Sequence, residues 1–114
     1  MTDKKLTYAM ALVITPITPT KKGHRVWIQG LAAHGWRGGD TFTTTIDGDW
    51  IVYAKATTGK LRKVTAGKHG GLIDTTSKKV TLWAGDSTRA LVGISDNRIV
   101  IKRGVRNEDN TVSI

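Results

Sequence analysis

Two stretches of this chain share one pattern, and their repetition limits the available folds more than any other feature. Residues 49–53 (DWIVY) follow a tight acidic turn, and residues 97–101 (NRIVI) follow a similar turn 48 residues later. Each pattern predicts the second strand of a β-hairpin, because short turns of Asp, Asn and Gly between apolar runs are typical of hairpins. Neither run alternates apolar with polar residues, which indicates strands covered on both faces.

The first copy is predicted to contain a strand, a short helical segment, a second strand, a tight turn and a third strand. Its strands, at residues 25–30, 41–46 and 50–55, are rich in β-branched and aromatic residues. Residues 31–36 (LAAHGW) hold little more than one helical turn before RGGD interrupts them. The turn at 47–49 consists of Asp and Gly, which tolerate a positive φ.

The second copy repeats this order with a longer helix. We expect the helix over residues 75–85, with Thr75 or Thr76 as its N-cap and with Val80 and Trp83 on one face. The strands predicted around it are residues 71–74, 89–94 and 98–103, with Asp96 and Asn97 in the last turn.

Neither copy can bury its apolar runs alone, so we predict a mainly β protein with short helices in which the copies close one shared core. The expected division is residues 1–20 as an N-terminal extension and strand, 21–55 as the first unit, 56–70 as a basic linker, 71–103 as the second unit and 104–114 as a C-terminal tail.

Residues 6–14 (LTYAMALVI) are interpreted as a buried strand. A signal peptide is the alternative, but no A-x-A-like cleavage site follows, and the segment is too short to cross a bilayer. Pro16 and Pro19 then indicate a linker after this strand. The chain has no cysteine, so a disulfide framework is excluded, and we expect a cytoplasmic protein without a membrane association.

These elements resemble a known motif. The residues that carry the resemblance are 26–53 (VWIQGLAAHGWRGGDTFTTTIDGDWIVY) and, more faintly, 72–102 (LIDTTSKKVTLWAGDSTRALVGISDNRIVIK). They are similar to the swapped-hairpin unit of the SpoVT/AbrB superfamily, which includes AbrB-type regulators, MazE-type antitoxins and SymE-type proteins. The stretch from residue 28 to 53 is most similar to SymE-like sequences.

The resemblance implies a tandem swapped-hairpin, AbrB-like β-barrel. Members of the superfamily usually carry one unit per chain and interlock two chains into a DNA-binding dimer, whereas this chain carries both units. An intramolecular pseudo-dimer with two unequal halves is therefore expected, which weakens any expectation of a palindromic operator. A further homodimer is left open.

Catalytic chemistry finds little support in the sequence. His24, His34 and His69 each lie next to a glycine, no metal-ligand spacing is present, and Glu108 is the sole glutamate. Gly59-Lys60 is followed by leucine, so it fails the pattern of a phosphate-binding loop. We expect no enzyme activity, no catalytic residues, no metal site and no cofactor.

Positive charge is the strongest global signal for function. Eighteen Lys and Arg against nine Asp and Glu give a formal net charge of +9, which favours a polyanion as the partner. A merely solvated basic surface is the alternative, and residues 55–71 can equally be a flexible basic connector. If the copies are related by a rough two-fold axis, the basic residues at the starts of both units form one stripe. The predicted nucleic-acid-binding residues are Lys21, Lys22, Arg25, Arg37, Lys60, Arg62, Lys63, Lys68, Lys78 and Lys79. The resemblance adds that Arg25, Arg37 and Lys78 occupy the positions that meet DNA in AbrB-like proteins.

The four tryptophans bear on which nucleic acid the basic surface would bind. Trp27, Trp50 and Trp83 fall in strand or helix patterns and are expected in the core, whereas Trp36 beside Arg37 is expected to be exposed. A basic groove with one accessible aromatic ring would suit single-stranded RNA.

The leading hypothesis is a small DNA-binding transcriptional regulator of the AbrB/MazE type that contacts phosphates and the major groove of double-stranded DNA. The first alternative is a SymE-like protein that binds RNA or condenses nucleic acid, in the manner of a toxin. The second is a phage or plasmid accessory protein that binds a host protein.

Overall fold

The computed structural model describes residues 6–7, 9–106 and 112–113, and within the C-terminal tail 107–111 and 114 lie outside these ranges. The strands of the main sheet are β1 (Ala11–Thr20), β2 (Gly23–Gln29), β3 (Thr41–Asp47), β4 (Trp50–Lys55), β5 (Arg62–Lys63), β6 (Leu72–Ser77), β7 (Arg89–Ile94) and β8 (Arg98–Arg103). A 3-10 helix (Leu31–His34) follows β2, α1 (Lys78–Ala84) follows β6, and β9 (Val105–Arg106) pairs with β10 (Val112–Ser113).

The main sheet is antiparallel and nearly closed. Its order is β5-β3-β4-β8-β7-β1-β2-β6, so β5 and β6 are the two edges. The edges approach each other, because Thr65, just beyond β5, pairs with Leu72 at the start of β6. The prediction of a mainly β protein with short helices is confirmed, and the sheet is barrel-like.

Both copies contribute matching elements to this sheet. β2, β3 and β4 recur 48 residues later as β6, β7 and β8, and the 3-10 helix corresponds to part of α1. Each hairpin lies between a strand of the other copy and the strand that precedes that copy: β3–β4 is flanked by β8 and β5, and β7–β8 by β4 and β1. β4 and β8 pair with Val52 directly opposite its equivalent, Val100.

The strand before each copy also belongs to the sheet. β1 pairs with β7 through its first half and with β2 through its second half. The segment expected to be a basic linker, 56–70, contains β5 and the buried Val64, and it occupies the corresponding place between β3 and β6.

β1 corrects two expectations about the N-terminal region. It was expected to be buried, but Leu12 and Ile14 are 60% and 56% exposed. Pro16 and Pro19 lie inside the strand and not in a linker after it. Each half of β1 has only one partner strand, so a proline in either half need not remove a hydrogen bond of the sheet.

β8 is buried on both faces, as its unbroken apolar run indicated. Ile99, Val100 and Ile101 are all fully buried. The N-terminal segment covers the outer face of β8. Leu6 and Met10 lie against Gly93 of the neighbouring strand β7, next to Val100 of β8.

An aromatic row fills the interior beneath the β3–β4 hairpin. Trp36 packs edge-on against Phe42 at 5.9 Å between ring centroids, and Phe42 packs edge-on against Tyr53 at 5.2 Å. The expectation of an exposed Trp36 was wrong: the ring is fully buried, and its Nε1 donates to the Ser95 carbonyl at 2.7 Å. The turn after the 3-10 helix directs it into the core.

Helix α1 begins later than expected. Thr75 and Thr76 belong to β6, and Ser77 is the N-cap, its hydroxyl accepting from the Val80 N–H at 3.3 Å. Pairing with β2 continues to Ser77 opposite His24 and so extends the strand. Val80 and Trp83 are buried on one face, as predicted.

Two equivalent glycines allow the copies to pack closely. Gly23 and Gly71 have φ of +124° and +78°, and each lies against the helix of the other copy. A methyl group on Gly23 would come within 2.3 Å of the Ser77 carbonyl, and one on Gly71 within 2.5 Å of the Trp36 oxygen. Neither obstacle can rotate away, because both are backbone.

We therefore expect Gly23→Ala and Gly71→Ala each to lower the free energy of unfolding by at least about 3 kcal/mol, the sum of unfavourable φ and a backbone clash. Gly48→Ala is the matched control: φ is +57° and nothing lies within 4 Å. That variant should lose only about 1–2 kcal/mol. Urea unfolding measures all three. Equal losses would contradict the proposed close packing.

Candidate nucleic-acid interface

Strands β2 and β6 form a two-stranded ribbon, which lies on the opposite side of the nearly closed sheet from β4 and β8. Strand alternation divides its side chains between two faces. Val26, Ile28 and Ile73 are buried in the core, whereas Trp27 and Asp74, paired across the ladder, lie on the outer face. The ribbon thus presents polar and aromatic groups outward.

A basic turn lies at one end of the ribbon. Lys21 and Lys22 form its tip, which the Thr20 hydroxyl closes by donating to the Gly23 carbonyl at 2.6 Å and accepting from the Lys22 N–H at 3.2 Å. Gly23 packs against the backbone of Lys78, so Lys78 adjoins this end of the ribbon. We call Lys21, Lys22 and Lys78 the first basic end.

The same strand is attached to α1 by a second contact. The His24 N–H donates to the Thr81 hydroxyl at 2.8 Å, and the His24 ring Nδ1 lies 3.0 Å from the same oxygen. His24 is therefore engaged with the helix, and its interaction positions the basic turn.

An equivalent basic turn lies at the other end. Residues 68–71 correspond to 20–23 in the first copy, and they carry Lys68 and His69. This turn rests on the 3-10 helix, since the Leu31 and Ala32 N–H groups donate to the Gly71 and Gly70 carbonyls at 3.1 and 2.9 Å. We call Lys68 and His69 the second basic end. At about 3.3 Å per residue, the two ends are roughly 20 Å apart.

Arg25 and Trp27 lie on the ribbon between the ends. The Arg25 guanidinium makes an ion pair with Asp74 at 3.0 Å and lies 4.4 Å from the Trp27 ring centroid. Trp27 was expected in the core, but it is 46% exposed, because its neighbours Val26 and Ile28 take the inward positions. The alternation in RVWIQ, with Arg25, Trp27 and Gln29 on one face, was the signal that could have placed it outside.

A basic cleft opens where the sheet edges approach. Its volume is about 430 Å³, and the described residues lining it include no carboxylate. Its lining residues are Thr44, Ile46, Lys60, Arg62, Thr75, Ser77 and Lys79. Three of the predicted cations therefore meet here and not on the ribbon's outer face.

Arg62 holds the two edges together across this cleft. Its guanidinium donates to the Asp74 carbonyl at 2.6 Å and to the Thr75 hydroxyl at 2.8 Å. The Thr75 hydroxyl also hydrogen-bonds with the hydroxyl of the fully buried Tyr53. Arg62 thus has a structural function in addition to its charge.

Burial raises the pKa of Tyr53 above its usual 10.0, and the Thr75 hydrogen bond and the Arg62 charge oppose this only in part.

The predicted cations thus form separate groups and not one stripe. Lys21, Lys22 and Lys78 lie at the first basic end, Lys68 at the second, Arg25 between them, and Lys60, Arg62 and Lys79 in the cleft. The remaining two lie by β5: Lys63 pairs opposite Thr41, and Arg37 precedes Gly38, which packs on Ala66.

Other kinds of site find no support in the described ranges. No group of three or more His, Asp or Glu residues there is arranged to hold a metal ion. No helix in the same ranges has the length and hydrophobicity needed to cross a membrane. No protein-family model, no curated protein and no solved structure matches this chain.

The burial of Tyr53 predicts a specific dependence of stability on pH. In the unfolded chain the phenol loses its proton near its usual pKa of 10.0, whereas the folded protein retains it to higher pH. The stability that the protonated phenol contributes is therefore fully present below about pH 9 and is lost as the pH rises past 10.0 and through the folded pKa. The difference in unfolding free energy between wild type and Tyr53→Phe should be constant below about pH 9 and shrink above it. Parallel curves to the highest pH would contradict this.

Proposed function

We propose that this chain is a small non-enzymatic DNA-binding protein, a transcriptional regulator of the AbrB/MazE-like swapped-hairpin type. The observation that carries the proposal is the pair of equivalent basic turns at opposite ends of one exposed β-ribbon. The ribbon lies against the major groove, and the basic ends contact the phosphates on either side. DNA-binding proteins generally divide their contacts in this way, because phosphate contacts position the protein and base contacts specify the sequence.

The strand order supports the swapped-hairpin part of this proposal. Each hairpin is flanked on one side by a strand of the other copy and on the other side by the strand that precedes that copy, as expected for two interlocked units. Here the two units belong to one chain, so the interlocked arrangement forms without a second molecule. Because the copies differ in sequence, the bound DNA site has two unequal halves.

The ribbon's dimensions and side chains suit the major groove. That groove admits a two-stranded β-ribbon, and arginine and aspartate recognise guanine and cytosine edges, respectively. Arg25 and Asp74 lie on the outer face within 3.0 Å of each other, so each is held in place by the other before DNA arrives. The net charge of +9 adds long-range attraction to any polyanion.

A second candidate is the SymE-like alternative, in which the same surface binds RNA or single-stranded nucleic acid. One observation favours it: Trp27 offers an exposed ring beside cations on the ribbon. An exposed aromatic ring is typical of surfaces that bind unpaired bases and is of little use against a stacked duplex.

Binding to random-sequence duplex DNA across a salt series tests the proposal. Each phosphate contact contributes about −0.9 to the slope of log K against log salt. Lys21→Ala/Lys22→Ala should therefore weaken binding and flatten the slope by about 1.8 if both lysines contact phosphates, and Lys68→Ala by about 0.9.

Lys102→Ala is the matched control, because it removes the same charge from β8, half-way round the sheet. It should leave the slope unchanged. Losses in proportion to the charge removed, the same for Lys102→Ala as for Lys68→Ala and twice as large for the double variant, would indicate that only net charge matters. No duplex binding near physiological salt would overturn the proposal, and a search for a protein partner would follow.

A further inference from the structure

Trp27 is the large aromatic residue on the outer face of the ribbon. Strand alternation turns its neighbours Val26 and Ile28 inward and leaves Trp27 46% exposed, so its ring is accessible to a ligand. One side of the ring carries the Arg25 guanidinium, 4.4 Å from the centroid, and Arg25 is in turn tied to Asp74. A cation held over the indole by an ion pair restricts the ring's orientation, so the ring is fixed before any ligand binds.

The ring also forms one wall of a groove. This groove has a volume of about 310 Å³ and lies between the ribbon and the second basic end. The described residues lining it include no carboxylate, and two of them are glycines, whose backbone admits close approach. Its lining residues are Trp27, Gln29, Gly67, Lys68, His69, Gly71 and Leu72.

The chemistry of this groove fits one unstacked nucleobase. A flat aromatic wall suits the face of a base, and Gln29 supplies an amide donor and acceptor for a base edge. Lys68 and His69, both exposed, also line the groove, where they can meet the adjoining phosphates. A base inside a duplex cannot enter, because both of its faces are already stacked.

We propose that Trp27 and this groove form a subsite for single-stranded nucleic acid, in which one base stacks on the indole and the chain continues over the second basic end. The inference rests on the second candidate of the proposed function and deepens it by naming the groove that holds one unpaired base. A protein with both properties would bind a duplex through its basic ends and hold an unpaired nucleotide at Trp27.

The test compares two oligonucleotides with each variant at one salt concentration. Fluorescence anisotropy is measured with a labelled oligothymidylate of roughly 12 nucleotides and with a duplex of similar length. Trp27→Ala should weaken single-strand binding by about fivefold to a hundredfold, the usual effect of removing one stacking ring. Trp27→Phe should retain most of the affinity, and Trp27→Ala should weaken duplex binding by a much smaller factor than single-strand binding, because a stacked duplex offers the ring no base face.

Leu82→Ala is the matched control, since it removes an 84% exposed apolar side chain from α1. Leu82→Ala should leave the affinity for both oligonucleotides unchanged. Circular dichroism and thermal unfolding confirm that each variant is folded. Oligothymidylate should also quench the tryptophan emission of the wild type, and Trp27→Phe should abolish that quenching, because Trp36 and Trp83 are buried and Trp50 lies on β4, half-way round the sheet from the groove.

The outcomes separate this inference from the proposed function. If duplex binding persists and Trp27→Ala leaves single-strand binding unchanged, the subsite is overturned and the DNA-binding proposal stands. If single-strand binding depends on Trp27 and no duplex binds, the subsite stands and the DNA-binding proposal fails. Equal losses for both ligands in Trp27→Ala would assign Trp27 to the ribbon's general surface and overturn the subsite. If wild type binds neither ligand, both proposals fail.

Discussion

The pairing of β4 with β8 is the interaction on which the rest of this structure depends. It places Val52 opposite Val100 and joins the two hairpins into one continuous ladder. Because each hairpin also lies beside a strand that precedes the other copy, neither copy has a complete sheet of its own. Hydrophobic burial then supports the arrangement from inside, through Ile51, Ile99 and Ile101, and from outside, through Leu6 and Met10 over Gly93. One shared core is the consequence.

The same pairing determines where the charged surface lies. With β4 and β8 on one side of the barrel-like sheet, β2 and β6 meet on the other side in opposite directions. The turns that precede these strands are therefore at opposite ends of one ribbon, and each rests on a helix of the other copy through Gly23 or Gly71. Lys21 and Lys22 in one turn and Lys68 in the other therefore place positive charge at both ends of the ribbon. This relation between repeat, ribbon and charge is the physical basis of the proposed interaction with nucleic acid.

Strand positions could be predicted from the sequence wherever composition and turns agreed, as in β2, β3, β4, β7 and β8. The errors arose where tertiary pairing overrode a local signal. Pro16 and Pro19 suggested an interruption, but β1 changes its partner along its length and accommodates both. Thr75 and Thr76 resembled a helix cap, yet pairing with β2 extends β6 to Ser77. Trp27 and Trp36 were placed on the wrong sides, because hydrophobicity gives the preference of a residue for burial and not the direction in which the backbone points it. The grouping of the cations required the three-dimensional arrangement, since Lys60 and Lys79 approach each other only across the sheet edges.

The most direct test of this account is to map the amide resonances that change when a short random-sequence duplex is added to isotope-labelled protein at low salt. We expect the changes to concentrate in residues 20–29, 67–79 and their immediate neighbours, with β4 and β8 unaffected. Such a result would place the nucleic acid across the ribbon and both basic ends. Changes centred on β4 and β8, or no change at all, would contradict the central claim that the β2–β6 surface is the binding face.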